Sequence, residues 1–161
     1  MKKHIKIIFD FIMTIVVAVV LLFALLNFFS GPDKNGLFGY KGYIVLSDSM
    51  KPTFSTGDYI IDELPALKEI QVGDVLSYMD TDKKVVTHRV AEITEEGLML
   101  KGDGNSFLDQ TIVNQENYIG KQRYVIPKLG AVMVKLSQPL MLVIISLLFL
   151  GLLIYQKLRN N

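Results

Sequence analysis

The central part of the chain carries one histidine, and its setting suits acid–base chemistry. The whole chain has two histidines and no cysteine. His4 lies beside an apolar run at the amino terminus, which leaves His88 for any chemistry in the central part. Over residues 85–90, strand alternation places Val86, His88 and Val90 on one face. His88 therefore emerges from an apolar face, where it is either a packed side chain or an acid–base group.

A metal centre is not expected from these residues. The usual tetrahedral zinc ligands are cysteine sulfur and histidine nitrogen, and a chain with no cysteine and a single central histidine cannot assemble them. We predict no metal ligands and no cofactor. If His88 is functional, we therefore expect it to act as an acid or a base.

A nucleophile candidate lies in residues 47–52, which read Ser-Asp-Ser-Met-Lys-Pro. They directly follow the apolar run 43–46, so the chain leaves a predicted strand there and can present a hydroxyl with neighbouring backbone N–H groups. A serine hydroxyl is a poor nucleophile until a neighbouring base removes its proton. His88 could be that base, and so could Lys83 or Lys84 in a Ser/Lys protease of the self-cleaving type. The structural alternative is a polar strand end with turn residues.

Two carboxylates lie in a glycine-containing loop further along the chain. Asp103 and Asp109 fall within residues 101–109, which read Lys-Gly-Asp-Gly-Asn-Ser-Phe-Leu-Asp. A carboxylate beside a catalytic histidine fixes its tautomer and stabilises the imidazolium that forms. The same residues could form an Asx turn or supply oxygen ligands to calcium, although their spacing differs from that of an EF-hand. A calcium-binding module or a non-enzymatic membrane scaffold is therefore the alternative to an enzyme.

An apolar run at the amino terminus is long enough to cross a membrane. As a helix, residues 7–29 would be about 34 Å long, against a bilayer hydrocarbon core of about 30 Å. The run ends without small residues at both positions of a signal-peptide cleavage site, so we interpret it as a retained anchor. Residues 1–30 are predicted to form an amino-terminal transmembrane helix.

A second apolar run over residues 140–155 is shorter. As a helix it would be about 24 Å long, which would also suit an interfacial helix. Lys157 and Arg159 follow it and lysines precede the first run, so the positive-inside rule places both termini in the cytoplasm. We predict that residues 139–161 form a carboxy-terminal transmembrane helix and a short cytoplasmic tail. The protein would then be a multi-pass protein of the cell membrane with an extracytoplasmic central domain.

Residues 31–138 are predicted to form one small antiparallel β domain, because short apolar runs alternate there with turn residues. The candidate strands are residues 43–47, 59–64, 74–79, 84–93, 97–101 and 118–126, and residues 129–137 are a candidate helix. The fold class is therefore mainly β, with a transmembrane helix on each side. This part of the chain has more acidic than basic residues, which excludes a basic patch for nucleic acid.

The order and neighbourhoods of these motifs resemble the type I signal peptidase family. The motif Ser-x-Ser-Met-x-Pro is present at residues 47–52, after an amino-terminal anchor. One branch of the family has a lysine base at the position of His88. Histidine in its place is typical of the endoplasmic-reticulum-type branch. That branch also has a Gly-Asp-x-Asn motif and a second aspartate, matched here by residues 102–105 and Asp109. One departure is Asp48, because many members have glycine there.

This resemblance implies a membrane-bound serine endopeptidase that removes signal peptides from secreted preproteins. Ser49 would be the nucleophile and His88 the general base. Asp109 is the first candidate to orient His88, with Asp103 supporting the loop or sharing that role. The backbone N–H of Ser49 and the hydroxyl of Ser47 would form the oxyanion hole. The implied partners are preprotein signal peptides and the lipid bilayer; an accessory membrane subunit is left open.

Overall fold

The computed structural model describes residues 2–32 and 35–139, which form a long helix, a β-sheet and a short second helix. Helix α1 spans Lys2–Phe29, a 3-10 turn spans Leu67–Glu69, and helix α2 spans Leu129–Leu136. The strands are β1 Tyr40–Ile44, β2 Tyr59–Glu63, β3 Val75–Met79, β4 Val85–Ile93, β5 Leu98–Lys101 and β6 Tyr118–Ile126.

The strands form a single antiparallel sheet in the order β1-β2-β6-β3-β4-β5. Strand β6 pairs with β2 through residues 121–126 and with β3 through residues 118–121, so it joins the two halves of the sheet. Strands β1 and β5 form the two edges. The predicted antiparallel β domain is confirmed, and the predicted helix over residues 129–137 is present as α2.

Strand β1 begins before the predicted strand over residues 43–47, because its first residues already pair with the end of β2. Beyond Ile44 the chain leaves the ladder but stays attached to the turn that precedes β2. Val45 donates its N–H to the carbonyl of Asp58, and its own carbonyl accepts the N–H of Gly57, both at 2.9 Å. Residues 45–47 therefore continue along the sheet edge towards the candidate nucleophile.

Two groups of buried apolar side chains stabilise the sheet. The first group is Ile70, Leu76, Tyr78, Val90, Leu98, Leu100 and Val113. The second group is Met50, Phe54, Ile60 and Val75. Met50 directly follows Ser49 and is 1% exposed, and full burial of a methionine side chain contributes about 1.5–3 kcal/mol. The second group therefore fixes the turn that carries Ser49.

Helix α1 is long and apolar enough to cross a membrane over Asp10–Phe29. It is the one helix within residues 2–32 and 35–139 that meets both conditions, and it coincides with the predicted amino-terminal anchor. The predicted second span over residues 140–155 lies outside the described residues. The carboxy-terminal transmembrane helix, and with it the division into residues 1–30, 31–138 and 139–161, stays a prediction.

Candidate active site

Ser49 lies in a tight turn that follows the edge of the sheet. The N–H of Lys51 donates to the carbonyl of Asp48 at 3.0 Å, and the N–H of Thr53 donates to the carbonyl of Met50 at 2.8 Å. Because Met50 points into the core, Ser49 beside it is half-buried and faces the cleft described below. The sequence motif thus places a buried apolar side chain next to the candidate nucleophile.

Ser49, His88 and Asp109 form a continuous series of hydrogen bonds. The Oγ of Ser49 lies 3.0 Å from Nε2 of His88, and Nδ1 of His88 lies 2.6 Å from Oδ2 of Asp109. His88 is 6% exposed, on the face of β4 that also carries buried Val90, as strand alternation predicts. A carboxylate that accepts a hydrogen bond from Nδ1–H keeps the proton on Nδ1 and leaves the Nε2 lone pair facing the serine. This is the arrangement that activates a serine hydroxyl for attack.

Tyr78 supports the carboxylate of Asp109 from the neighbouring strand. Its hydroxyl donates to Oδ2 of Asp109 at 2.9 Å, the same oxygen that contacts His88. Leu76 pairs with His88 across β3 and β4, and Tyr78 follows Leu76 by two residues, so Tyr78 lies on the same face as His88. The sequence analysis missed Tyr78, although the alternation of β3 would have identified it once the strand pairing was known.

Asp103 contacts Arg89 rather than His88. The Nε of Arg89 donates to Oδ1 of Asp103 at 2.8 Å and its Nη2 donates to Oδ2 at 2.7 Å. Thr53 donates its hydroxyl to the same Oδ2 at 2.5 Å. These hydrogen bonds, led by those from Arg89, hold the pKa of Asp103 below its ordinary value. The two candidate carboxylates thus lie in separate environments, and Asp109 is the one that reaches the imidazole. Arg89 and Thr53 were also missed by the sequence analysis.

The glycine-containing loop packs directly against the nucleophile turn. The N–H of Gly104 donates to the carbonyl of Ser49 at 2.8 Å. A Cβ atom at Gly102 would lie 2.6 Å from that same carbonyl oxygen, which is closer than any side chain can approach. Glycine at position 102 therefore permits the loop to reach Ser49, and Asp103 with Arg89 fixes the loop in place.

Asp48 is turned towards its own loop and away from the reacting group. Its Oδ1 accepts hydrogen bonds from the N–H and the hydroxyl of Thr56, both at 2.9 Å, and its Oδ2 accepts one from Nζ of Lys51 at 2.8 Å. Lys51 and Thr56 together lower the pKa of Asp48 to about 2. The carboxylate that replaces the common glycine is thus held by neighbouring donors. The Oγ of Ser47 lies 3.2 Å from that of Ser49.

A cleft of about 620 Å³ opens beside Ser49 and His88. Residues 43–47 line one wall and residues 84–88 the other, with Phe54 and Ile60 between them. Lys84 lies at this cleft, but its ammonium is 3.2 Å from the carboxylate of Asp82 and its side chain is 72% exposed. Of Lys84 and His88, His88 is therefore the one within hydrogen-bonding distance of Ser49 Oγ.

The described part of the chain contains no cluster of acidic side chains that would support the calcium-binding alternative. Asp103 and Asp109 have different partners, and residues 2–32 and 35–139 contain no group of three or more His, Cys, Asp or Glu side chains that could hold a metal ion.

Curated proteins with similar sequences point to one family, although no protein-family model matches the chain. The chain is 37% identical over 122 residues to Signal peptidase I W of Bacillus subtilis (strain 168), covering 73% of this chain and 63% of that relative. It is 32% identical over 124 residues to the Signal peptidase complex catalytic subunit SEC11 of Fusarium vanettenii and of Verticillium alfalfae, covering 69% of this chain and 72% of each relative. The chain thus spans less than two thirds of the Bacillus relative. From these similarities, the chain belongs to the type I signal peptidase family, in its endoplasmic-reticulum-type branch.

Proposed function

We propose that this chain is a membrane-bound serine endopeptidase that removes signal peptides from secreted preproteins. The observation that carries the proposal is the hydrogen-bonded series from Ser49 through His88 to Asp109 beside an apolar cleft. The names of its relatives, a signal peptidase and the catalytic subunits of signal peptidase complexes, point to the same reaction. A Ser/Lys pair is less favoured, because His88 rather than Lys84 lies within hydrogen-bonding distance of Ser49.

The reaction proceeds through an acyl-enzyme. Ser49 Oγ attacks the carbonyl carbon of the scissile bond while Nε2 of His88 accepts the hydroxyl proton. The imidazolium donates that proton to the leaving amine, the C–N bond breaks, and an ester to Ser49 remains. Water then attacks the ester with His88 as the base, which releases the carboxylate product and restores the serine. Asp109 keeps Nδ1 protonated, so that Nε2 faces Ser49.

Negative charge develops on the carbonyl oxygen during each attack. The backbone N–H of Ser49 and the hydroxyl of Ser47 are the proposed donors to this oxyanion. Such donors act in a site that is partly shielded from water, where losing one typically costs about 2.7–4 kcal/mol of transition-state stabilisation. The distance of 3.2 Å between the two serine hydroxyls supports Ser47 as a donor close to the reacting carbon.

The substrate is proposed to bind in the cleft as an extended strand. Residues 45–47 continue from an edge strand, and edge strands bind extended peptides through main-chain hydrogen bonds. The apolar cleft walls would receive the small side chains expected at positions −1 and −3 of the cleavage site. The hydrophobic part of the signal peptide would stay in the bilayer beside the enzyme.

The membrane placement follows from α1 and from the expected topology. Helix α1 is the proposed anchor, and the β domain is proposed to lie on the extracytoplasmic side of the cell membrane. The span over residues 140–155 would make the protein multi-pass. The SEC11 relatives are named as subunits of a complex, which supports asking whether this chain requires an accessory membrane subunit.

The test is cleavage of a preprotein by the detergent-solubilised chain, compared with Ser49→Ala and His88→Ala. Ser106→Ala is the matched control, Lys84→Met tests the Ser/Lys alternative, and each variant is checked for folding by circular dichroism. We expect both site variants to lose cleavage by at least about 1000-fold, Ser106→Ala to stay within about twofold, and Lys84→Met to lose far less than the site variants.

Each result has a separate meaning. Full activity of His88→Ala with loss of activity in Lys84→Met would establish the Ser/Lys alternative instead. If the parent cleaved only after a membrane extract is added, an accessory subunit would be required. Cleavage that survives Ser49→Ala would overturn the proposed function.

A further inference from the structure

The last turns of α1 lie against the β domain. Phe23, Leu26 and Ser30 recur at helical spacing, so they share one side of the chain as it approaches the sheet. The ring of Phe23 meets the ring of Tyr59 edge-on, with centroids 5.6 Å apart and planes at 77°. Leu26 is 8% exposed and Ser30 is 5% exposed, whereas neighbouring Leu25 is 48% exposed. This side of the anchor is therefore packed on protein.

Ser30 joins the anchor to the edge of the sheet. Its hydroxyl donates to the carbonyl of Leu26 at 2.5 Å and accepts the N–H of Gly42 at 2.6 Å. Gly42 lies in edge strand β1, where an N–H that points outward has no neighbouring strand to receive it. The serine hydroxyl takes the place of that missing strand.

Gly42 and Tyr59 also take part in the contact between α1 and the sheet. A Cβ atom at Gly42 would lie 1.9 Å from the hydroxyl oxygen of Tyr59, so only glycine lets the tyrosine ring pass beneath β1 towards α1. Tyr59 is completely buried. We call Phe23, Leu26, Ser30, Gly42 and Tyr59 the anchor seam.

The anchor seam is continuous with the active site. Gly42 precedes residues 43–47, which line one wall of the cleft and lead directly to Ser49. Residue 45 is in turn hydrogen-bonded to the turn before β2, the strand that begins with Tyr59. These contacts therefore fix the orientation of the cleft relative to α1.

We propose that the anchor seam is a positioning element that determines which peptide bond of a membrane-held substrate reaches Ser49. The inference rests on the proposed function. An extended substrate advances about 3.3 Å per residue, so a displacement of the cleft by a few ångströms would present a neighbouring bond. If α1 were hinged to the β domain, the distance of the cleft from the membrane surface would vary. The anchor seam would keep that distance constant.

The test compares two substrates that share one cleavage sequence. The first is a preprotein in bilayer nanodiscs, and the second is a short water-soluble peptide. Phe23→Ala and Ser30→Ala loosen the anchor seam, and Phe11→Ala removes a ring from the same helix at a position that is 65% exposed. Cleavage rates are measured on both substrates, and cleavage positions are determined by mass spectrometry.

We expect both anchor-seam variants to cleave the preprotein roughly tenfold more slowly and partly at neighbouring bonds, because small misplacements of a substrate cost large factors in rate. Cleavage of the short peptide should stay within about twofold of the parent, since the catalytic groups are untouched. Phe11→Ala should match the parent on both substrates. If the anchor-seam variants cleaved both substrates equally more slowly, the defect would be general and the inference would be overturned. Unchanged cleavage rates on both substrates would overturn it as well.

Amide exchange gives a second readout that does not depend on catalysis. The Gly42 N–H should exchange slowly in the parent in nanodiscs and faster in Ser30→Ala, while the neighbouring ladder amides of β2 keep their protection. Rapid exchange of the Gly42 N–H in the parent would overturn the inference. Failure of the parent to cleave either substrate would instead count against the proposed function, so the two failures are distinguishable.

Discussion

Two aspartates of the β domain, the partly buried Asp109 and the fully buried Asp62, lie in opposite environments. The Oδ2 of Asp109 has two partners, the hydroxyl of Tyr78 and Nδ1 of His88. Asp62 in β2 is completely buried, and neither of its carboxyl oxygens has a hydrogen-bond partner within residues 2–32 and 35–139. The nearby hydroxyl of Ser77 is bonded to Thr87 at 2.8 Å.

The difference shows that burial alone does not make a carboxylate useful. Burial raises the pKa of Asp62 to about 7, against the opposite influence of the Ser77 hydroxyl and the Lys41 ammonium. A buried charge without a compensating partner is unfavourable, so Asp62 stays neutral up to about pH 7, where aspartates of ordinary pKa are already ionised. Asp109 accepts hydrogen bonds from Tyr78 and His88, so it can orient the imidazole. The predictions below test this contrast.

Asp109→Asn is expected to have the largest effect. An amide at this position permits the wrong histidine tautomer, and kcat should fall by roughly 10³–10⁴-fold with little change in KM. The matched control is Asp103→Asn, which loosens the loop and should lower kcat only about tenfold. Steady-state cleavage of a peptide substrate measures both. If the two losses were reversed, Asp103 would be the orienting carboxylate.

Asp62→Asn is expected to stabilise the domain at neutral and alkaline pH. The folded-state pKa of Asp62 is raised from 3.8 to about 7. The contribution of Asp62 to the free energy of unfolding is therefore fully present below about pH 4 and is lost as pH rises to about 7. The variant lacks this loss. Its free energy of unfolding should therefore exceed that of the parent by roughly 1–4 kcal/mol at pH 8 and match the parent near pH 4. Unfolding by urea at several pH values measures the difference, and a difference that does not change with pH would contradict the assignment.

Tyr78→Phe is expected to have a smaller effect, on kcat, because Tyr78 contacts Asp109. The variant removes one of the two donors to Oδ2 while keeping the ring in the core. A neutral hydrogen bond is worth about 1 kcal/mol, so kcat should fall about fivefold. Peptide cleavage measures kcat, and thermal unfolding checks that the core is intact. An unchanged kcat would mean that His88 alone holds Asp109.

Asp48→Asn is expected to have the smallest effect. The folded-state pKa of Asp48 is lowered to about 2, so its stabilising contribution is present above about pH 4 and is lost as pH falls through about 2. The variant should be slightly less stable than the parent at pH 6 and equally stable at pH 2, with kcat within about twofold. Thermal unfolding at the two pH values measures this. A large rise in kcat would show instead that the carboxylate opposes the oxyanion.

Local patterns in the sequence predicted much of the fold. Short apolar runs between glycine and aspartate turns identified the strands, because alternation and turn chemistry are properties of neighbouring residues. The strand order could not be predicted, because β6 lies between β2 and β3 through pairings that are distant along the chain. The second membrane span over residues 140–155 stays a prediction.

Residue type and sequence motifs made Ser49 and His88 candidates, but tertiary contacts determine their surroundings. The choice between Asp103 and Asp109 depends on the path of their loop. That path is determined by the hydrogen bond from Gly104 to Ser49 and by the return of Asp109 to β5. No local signal distinguishes a buried Asp62 from an exposed strand residue, so the sequence analysis did not single it out.

In the proposed mechanism, Ser49 forms the acyl-enzyme with His88 as its base. The most direct test is mass spectrometry of the protein quenched in acid during turnover of a peptide ester. We expect an acyl adduct on the peptide that contains Ser49, present in the parent, strongly reduced in His88→Ala and absent in Ser49→Ala. An adduct at another residue, or turnover without any adduct, would contradict it.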